Sequence, residues 1–131
     1  MRFIPALLWA GLIFWVSSQP YLPQAPFLFE GIDKLFHAGE YAIFAMLVLF
    51  GDRWPRSPRV WWWVVLLAAF AATDEYHQGF VPHRAADTLD WLADSAGVVM
   101  TVALWVKVRG RKLGKWLQRR AERDSSPTVA S

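Results

Sequence analysis

Asp74-Glu75-x-His77-Gln78 sets two carboxyls, an imidazole and an amide within five residues, directly behind an apolar run. Two further sets stand elsewhere in the chain: Asp33, Lys34, His37 and Tyr41, and then Asp87, Asp90 and Asp94. Groups of these types serve three kinds of chemistry. Carboxyls beside a histidine suit general acid/base work when burial raises their proton affinity. Imidazole with carboxylates binds a divalent metal, although Asp74-Glu75-x-His77 lacks the double histidine of the H-E-x-x-H helix. Protonatable groups in a membrane span carry protons, but apolar helix halves on one side leave no exit, which argues against a channel or pump. The chain has no cysteine, which excludes thiolate catalysis, disulfides and Cys-ligated metals. It also has no glycine-rich phosphate loop, no G-x-S-x-G elbow and no internal repeat.

The elements that must position these groups are apolar blocks. At 131 residues the chain is one domain by length, and 55% of it is apolar, gathered into blocks at 3–16, 35–50, 60–73 and 89–106. A chain this short cannot build a core deep enough to hide several all-apolar helices, so a bilayer is the simpler host. A spanning helix needs about 20 residues. The last three blocks reach that figure only if the adjoining polar residues join the helix, giving 32–51, 60–78 and 87–107. Pro20, Pro23 and Pro26, then Gly51 and Pro55, then Gly79 and Pro82 punctuate the ends. Pro5 falls in a first helical turn, where its missing N–H costs little.

At about 1.5 Å of rise per residue, His37, Asp74 and Asp94 each lie roughly 20 Å above the opposite helix end. The spacing Asp33/His37/Tyr41 makes one stripe, Asp74/Gln78 a second and Asp87/Asp90/Asp94/Gly97 a third. Charged residues in a span face the bundle interior or a wet cavity and pair with one another. The expected result is a polar pocket open to one side. Arg84, returning behind Pro82, is expected to be its local cation.

Charge sets the expected orientation. Of the 14 basic residues, all but Lys34 and Arg84 lie in 1–2, 51–59 and 107–131, against only Asp52, Glu122 and Asp124. The other side holds Glu30, Asp33, Glu40, Asp74, Glu75, Asp87, Asp90 and Asp94. The positive-inside rule then puts both termini in the cytoplasm, with four crossings. The fold class expected is an all-α membrane protein, a four-helix transmembrane bundle over 1–108 with a basic cytoplasmic tail at 109–131. Trp61-Trp62-Trp63, with Trp54, reads as an interfacial aromatic belt. The tail from Lys107 to Arg123 reads as a stop-transfer anchor or interfacial helix on anionic lipid rather than as a nucleic-acid site. The last eight residues, 124–131, read as disordered. A cleaved signal peptide is disfavoured, because no A-x-A site follows the first block.

A structural polar network would account for one or two such residues. Eight acids on a side with only two bases exceed what helix–helix hydrogen bonding needs. That many carboxylates in low dielectric must be partly protonated, paired with His37, His77, Lys34 or Arg84, or hold a cation.

Taken in order, these residues resemble the VanZ-like family of small integral membrane proteins. The likeness rests on Ser17-Ser18-Gln19-Pro20, Asp33-Lys34-x-x-His37-x-x-x-Tyr41, Asp74-Glu75-x-His77-Gln78, Arg84, Asp87 and Asp90-x-x-x-Asp94-x-x-Gly97. The chain departs from the family at Pro82-His83-Arg84, where Pro-Gly-Arg is usual, and at Asp94, where asparagine is frequent. The resemblance implies a multi-pass protein of the bacterial inner membrane. It also implies a cell-envelope setting, with a family namesake associated with resistance to teicoplanin-type glycopeptides. It supplies no reaction and no cofactor. The expected site comprises His37, Asp74, Glu75 and Asp94 as its reactive groups. Around them stand Arg84, Lys34, Asp33, Gln78, Tyr41, Asp87, Asp90 and His77 as binding groups, with Arg84 suited to a phosphate. Two functions follow. The site acts on or binds envelope lipid or a lipid-linked cell-wall intermediate, by acid/base or metal-assisted chemistry; or the protein is a non-enzymatic scaffold whose polar cluster is structural.

Overall fold

The computed structural model describes residues 1–20, 31–52 and 59–125. Pro23, Pro26, Glu30, Arg53, Trp54, Pro55, Arg56 and residues 126–131, to which the sequence assigns roles, lie outside the described residues. The described chain is all helical: α1 (Ile4–Ser17), α2 (Ile32–Gly51), α3 (Arg59–Gln78) and α4 (Thr88–Ser125). Pro5 does stand in the first turn of α1, and α2 starts behind Gly31, whose φ of 89° glycine adopts without strain.

Neighbouring helices run antiparallel, as contacts at the two ends show. At one end the Phe3 ring packs beside Trp63, 5.7 Å between centroids, and over Gly51. There Asp52 accepts from the Trp63 indole at 2.7 Å and pairs with Arg59 at 3.3 Å. At the other end Ser17 of α1 meets Asp74 of α3, and Lys34 of α2 meets Asp87 at the head of α4. Between the ends, indole N–H groups tie helices to neighbouring backbones. Trp9 donates to the Glu40 carbonyl at 3.1 Å and Trp91 to the Ala68 carbonyl at 3.0 Å.

The distribution of polarity is inside out. Asp94, Asp74 and Glu75 are only 1%, 4% and 6% exposed, whereas Leu7 and Met100 are each 68% exposed. A narrow apolar core of Ile13, Ala45, Leu49, Ala71, Val98 and Val102 fills the centre. Leucines, tryptophans and phenylalanines cover the outside of all four helices. Two helices, α2 and the Thr88–Arg120 part of α4, are long and apolar enough to cross a membrane; α1 is a shorter apolar helix of 14 residues.

One expected boundary moves. The sequence places the end of α4 near 107, but the helix continues to Ser125, 38 residues in all, or about 57 Å at 1.5 Å each. The apolar block ends where expected, yet helix propagation asks only for backbone bonds and good helix formers, which Lys, Arg, Gln and Glu are. Arg119 and Arg123 also bond back to the carbonyls of Lys115 and Arg119, each at 3.4 Å.

A close backbone approach joins α2 and α4. A Cβ on Gly97 would lie 2.1 Å from the Ala38 carbonyl oxygen and 3.0 Å from its Cα. Nothing at that contact is a side chain that can swing aside. Gly97→Ala should therefore push the two helices apart and cost about 1–3 kcal/mol. Gly39→Ala, one residue from the same seam but with nothing within 4 Å, should be neutral or stabilising by up to about 1 kcal/mol. Unfolding of both variants in mixed detergent checks the contrast; equal stabilities would show that the seam tolerates separation.

Candidate functional site

The seam set by Gly97 brings a ladder of side chains together. From α2 come Lys34 and His37; from the head of α4 come Asp87, Asp90 and Asp94. Lys34 Nζ donates to Asp87 Oδ2 at 2.7 Å and to Asp90 Oδ1, and contacts the exposed Asp33 at 3.1 Å. One turn deeper, His37 Nδ1 lies 3.1 Å from Asp94 Oδ1, and its Nε2 lies 3.7 Å from Asp90 Oδ2. Asp87 also caps α4, its Oδ1 accepting from the Leu89 amide at 2.8 Å.

The third element is α3. Glu75 Oε2 accepts from the Asp87 backbone N–H at 2.9 Å, which fastens the end of α3 to the start of α4. Glu75 Oε1 is buried and has no partner. One ligand atom from each of His37, Glu75 and Asp94 falls within 4.8 Å of the others.

A second cluster faces α1. Ser17 Oγ donates to Asp74 Oδ2 at 2.7 Å, and Gln78 Nε2 donates to both, at 3.2 and 3.3 Å. Arg84 Nη2 then donates to Gln78 Oε1 at 2.9 Å. Beside them Ser18 Oγ and His77 Nε2 lie 3.0 Å apart, and the His77 ring stacks on Phe14 at 4.4 Å. The hydroxyls of Ser17 and Ser18 are the site residues missing from the expected set. Their place at the exit of α1, in Ser17-Ser18-Gln19-Pro20, was the available signal.

The expected single pocket is thus two clusters. Successive helical residues point about 100° apart, so Glu75 turns toward α2 and α4 while Asp74 turns toward α1. Arg84 is not the cation over the acids of α4; it is spent on the Gln78 amide, and Lys34 holds that position instead. His77 meets α1 rather than the acids. Tyr41 is buried with its hydroxyl unpartnered, and its ring packs on Phe44 and Phe70.

Local turn chemistry explains how Arg84 reaches Gln78. Val81 accepts from the Arg84 N–H at 3.1 Å across Pro82 and His83, and His83 has a φ of 64°. Proline followed by a positive φ is the pattern of a type II turn, where glycine is favoured at the position His83 fills. Toward the end where Phe3 meets Trp63, an apolar crevice of 310 Å³ opens between α1, α2 and α3. Phe3, Leu7, Phe44, Trp63 and Phe70 are among its lining residues.

These features define an all-helical protein with two helices of membrane-spanning length and a buried polar site at one end of its helices. Residues 3–109 match VanZ/LLP1, and the chain belongs to that family. No curated protein and no solved structure matches it.

Two expectations follow from the site's geometry. Ser17→Ala leaves the buried Asp74 with only the long Gln78 contact, and should cost about 1–3 kcal/mol, with Ser17→Thr milder; unfolding midpoints in detergent decide this. The second concerns Asp87, which stands before the first turn of α4. The Lys34 ammonium beside it, helped by the Leu89 amide, holds its carboxyl below the ordinary value of 3.8. A carboxyl lowered in this way stabilises the fold above its ordinary pKa, and the contribution fades as pH falls through the folded value. In Lys34→Met the Asp87 midpoint, followed by carboxyl carbon-13 NMR, should rise toward the ordinary value. An unmoved midpoint would remove Lys34 as the cause.

Proposed function

We propose that this VanZ/LLP1-family chain is a multi-pass protein of the cell membrane with four crossings and both termini cytoplasmic. In this reading its polar site faces outward and binds an envelope lipid or a lipid-linked cell-wall intermediate. The observation that carries the reading is the inside-out distribution: an exterior of Leu, Phe and Trp enclosing Asp94, Glu75 and Asp74. Ionisable groups are costly in hydrocarbon and are kept there for function by default. The orientation rests on the bases that the sequence carries in 1–2, 51–59 and 107–131; of these, Arg2 beside Gly51 and Arg59 on Asp52 lie at the end opposite Lys34 and Asp87.

The site suits an amphiphile with an anionic head. Lys34, and the N–H groups of Arg84 beyond the one on Gln78, offer cationic donors to a phosphate. The excess of acids deeper down favours a head group that also carries hydroxyls or amides, as a sugar or peptide does. The apolar crevice lined by Phe44 and Phe70 gives room for a hydrocarbon chain. His37 between Asp90 and Asp94 is the group placed to move a proton if chemistry follows binding.

A second reading, a scaffold without chemistry, is favoured by the Ser17–Asp74–Gln78–Arg84 network, which links three segments of the chain by side-chain hydrogen bonds and leaves only Asp74 Oδ1 of the carboxylate without a partner. The two readings part on the same variants. Purified protein should bind a polyprenyl phosphate, detected by native mass spectrometry. Lys34→Met, His37→Ala and Glu75→Gln should remain folded while losing at least roughly tenfold in affinity, the equivalent of about 1.4 kcal/mol. Intact lipid binding in all three would sink the site reading, and failure of all three to fold would favour the scaffold.

A further inference from the structure

Four observations about the deep end of the ladder converge on one ligand. The first is the donor set. His37 from α2, Glu75 from α3 and Asp94 from α4 bring one imidazole nitrogen and two carboxylate oxygens within 4.8 Å of one another. Bonds of about 2.0–2.2 Å to a shared ion would draw such donors to about 3.0–3.5 Å apart. A closure of that size falls within side-chain adjustment and asks nothing of the backbone.

The second is an orphan. Glu75 is 6% exposed, and while Oε2 is held by the Asp87 amide, Oε1 has no partner. A buried carboxylate oxygen left unpartnered loses its hydration with nothing in return.

The third is the charge balance. Lys34 is engaged by Asp33, Asp87 and Asp90, and Arg84 by Gln78. Neither reaches Glu75 or Asp94, so no lysine or arginine compensates the deep carboxylates, and the His37 imidazole is the basic group beside them. A neutral imidazole with two carboxylates carries −2, which one divalent ion cancels.

The fourth is the outer ring of contacts. With Nδ1 of His37 turned to the ion, Nε2 faces Asp90 at 3.7 Å, and Lys34 anchors Asp90 in turn. Glu75 has its own anchor in the Asp87 N–H. Metal-bound histidines and carboxylates are ordinarily oriented by such partners.

We propose that His37, Glu75 and Asp94 bind one divalent transition-metal ion, of the zinc or manganese kind. Imidazole among the donors and the small number of oxygens disfavour calcium, which takes six to eight oxygens, and magnesium, which prefers oxygen donors and keeps its waters. Three protein ligands leave coordination positions for water or for a substrate oxygen. Asp90 is a positioning residue in this scheme, acting through His37. The site does not require the lipid reading to be right.

The test uses the full chain purified in detergent without chelator. Metal per chain is measured by plasma mass spectrometry, the protein is stripped with a chelator, and Zn2+, Mn2+ or Mg2+ is returned while the unfolding midpoint is followed. The expected result is about one equivalent of zinc or manganese and a saturable rise in the midpoint with that ion but not with Mg2+. Glu75→Gln and Asp94→Asn should weaken binding more than tenfold, and Asp90→Asn by roughly 10–100-fold. His83→Gly, which removes an exposed imidazole that is not one of the three ligands, should leave the stoichiometry unchanged. Stripped wild-type protein that takes up neither ion and shows no shift overturns the proposal, whether or not the variants fold. Undiminished binding in both Glu75→Gln and Asp94→Asn overturns it equally. Polyprenyl phosphate is absent from these measurements, so their failure leaves the lipid reading to its own binding test.

Discussion

Gly97 lets the backbone of α4 come against Ala38 of α2, where a single methyl group would stand 2.1 Å from a carbonyl oxygen. Much of the polar chemistry depends on that approach. Lys34 and His37 lie one turn and less from Ala38, and Asp90 and Asp94 lie two turns and one turn from Gly97, so the glycine contact fixes which side chains face each other. Widening the seam by the thickness of a methyl would lengthen the His37–Asp94 contact and the Lys34 pairs together. Close packing of small residues is also the main source of helix association where the surroundings are as apolar as the helices.

The second constraint is electrostatic. Acids outnumber bases at this end of the bundle, and the fold separates them instead of gathering them. Asp87 and Asp90 are met by Lys34 at the rim; Asp74 is turned away to a serine hydroxyl and an amide, and Glu75 to a backbone N–H. Distribution over several kinds of partner reduces how many carboxylates face one another without a donor between them, which low dielectric would penalise heavily. What is left after that distribution is the set His37, Glu75 and Asp94, where among the described residues three potential metal donors lie within 4.8 Å of one another.

Much of the helical layout was legible in the residues. Charges at the ends of apolar blocks forced the polar residues into the helices. That logic places α2 at 32–51, where it lies, and α3 within a residue of Arg59–Gln78. It ended the α4 span near 107 and left helix through 107–123 as one of two readings of the tail, because an apolar block shows where burial ends and not where backbone hydrogen bonding ends. It also grouped Asp74 with Glu75, although adjacent helical residues cannot share a direction. Arg84 shows a different limit: a positive φ at His83 bends the chain so that the guanidinium meets Gln78, and no spacing rule states where a turn delivers a side chain.

By itself, then, the sequence determined the helices, the level at which their ionisable groups gather and the family to which they belong. The first two follow from short-range properties, namely apolar runs, proline and glycine punctuation, and rise per residue; the family rests on the ordered motifs from Ser17 to Gly97 and on the match over residues 3–109. Only the tertiary structure decided which groups meet. The rotation of each helix about its axis is set by long-range packing at Gly97 and Ala38, by the Trp9 and Trp91 indoles on neighbouring carbonyls, and by Ser17 on Asp74. A rotation of one residue, about 100°, would exchange Asp74 for Glu75 in the cluster with His37 and Asp94. The sequence contains both acids; packing chose between them.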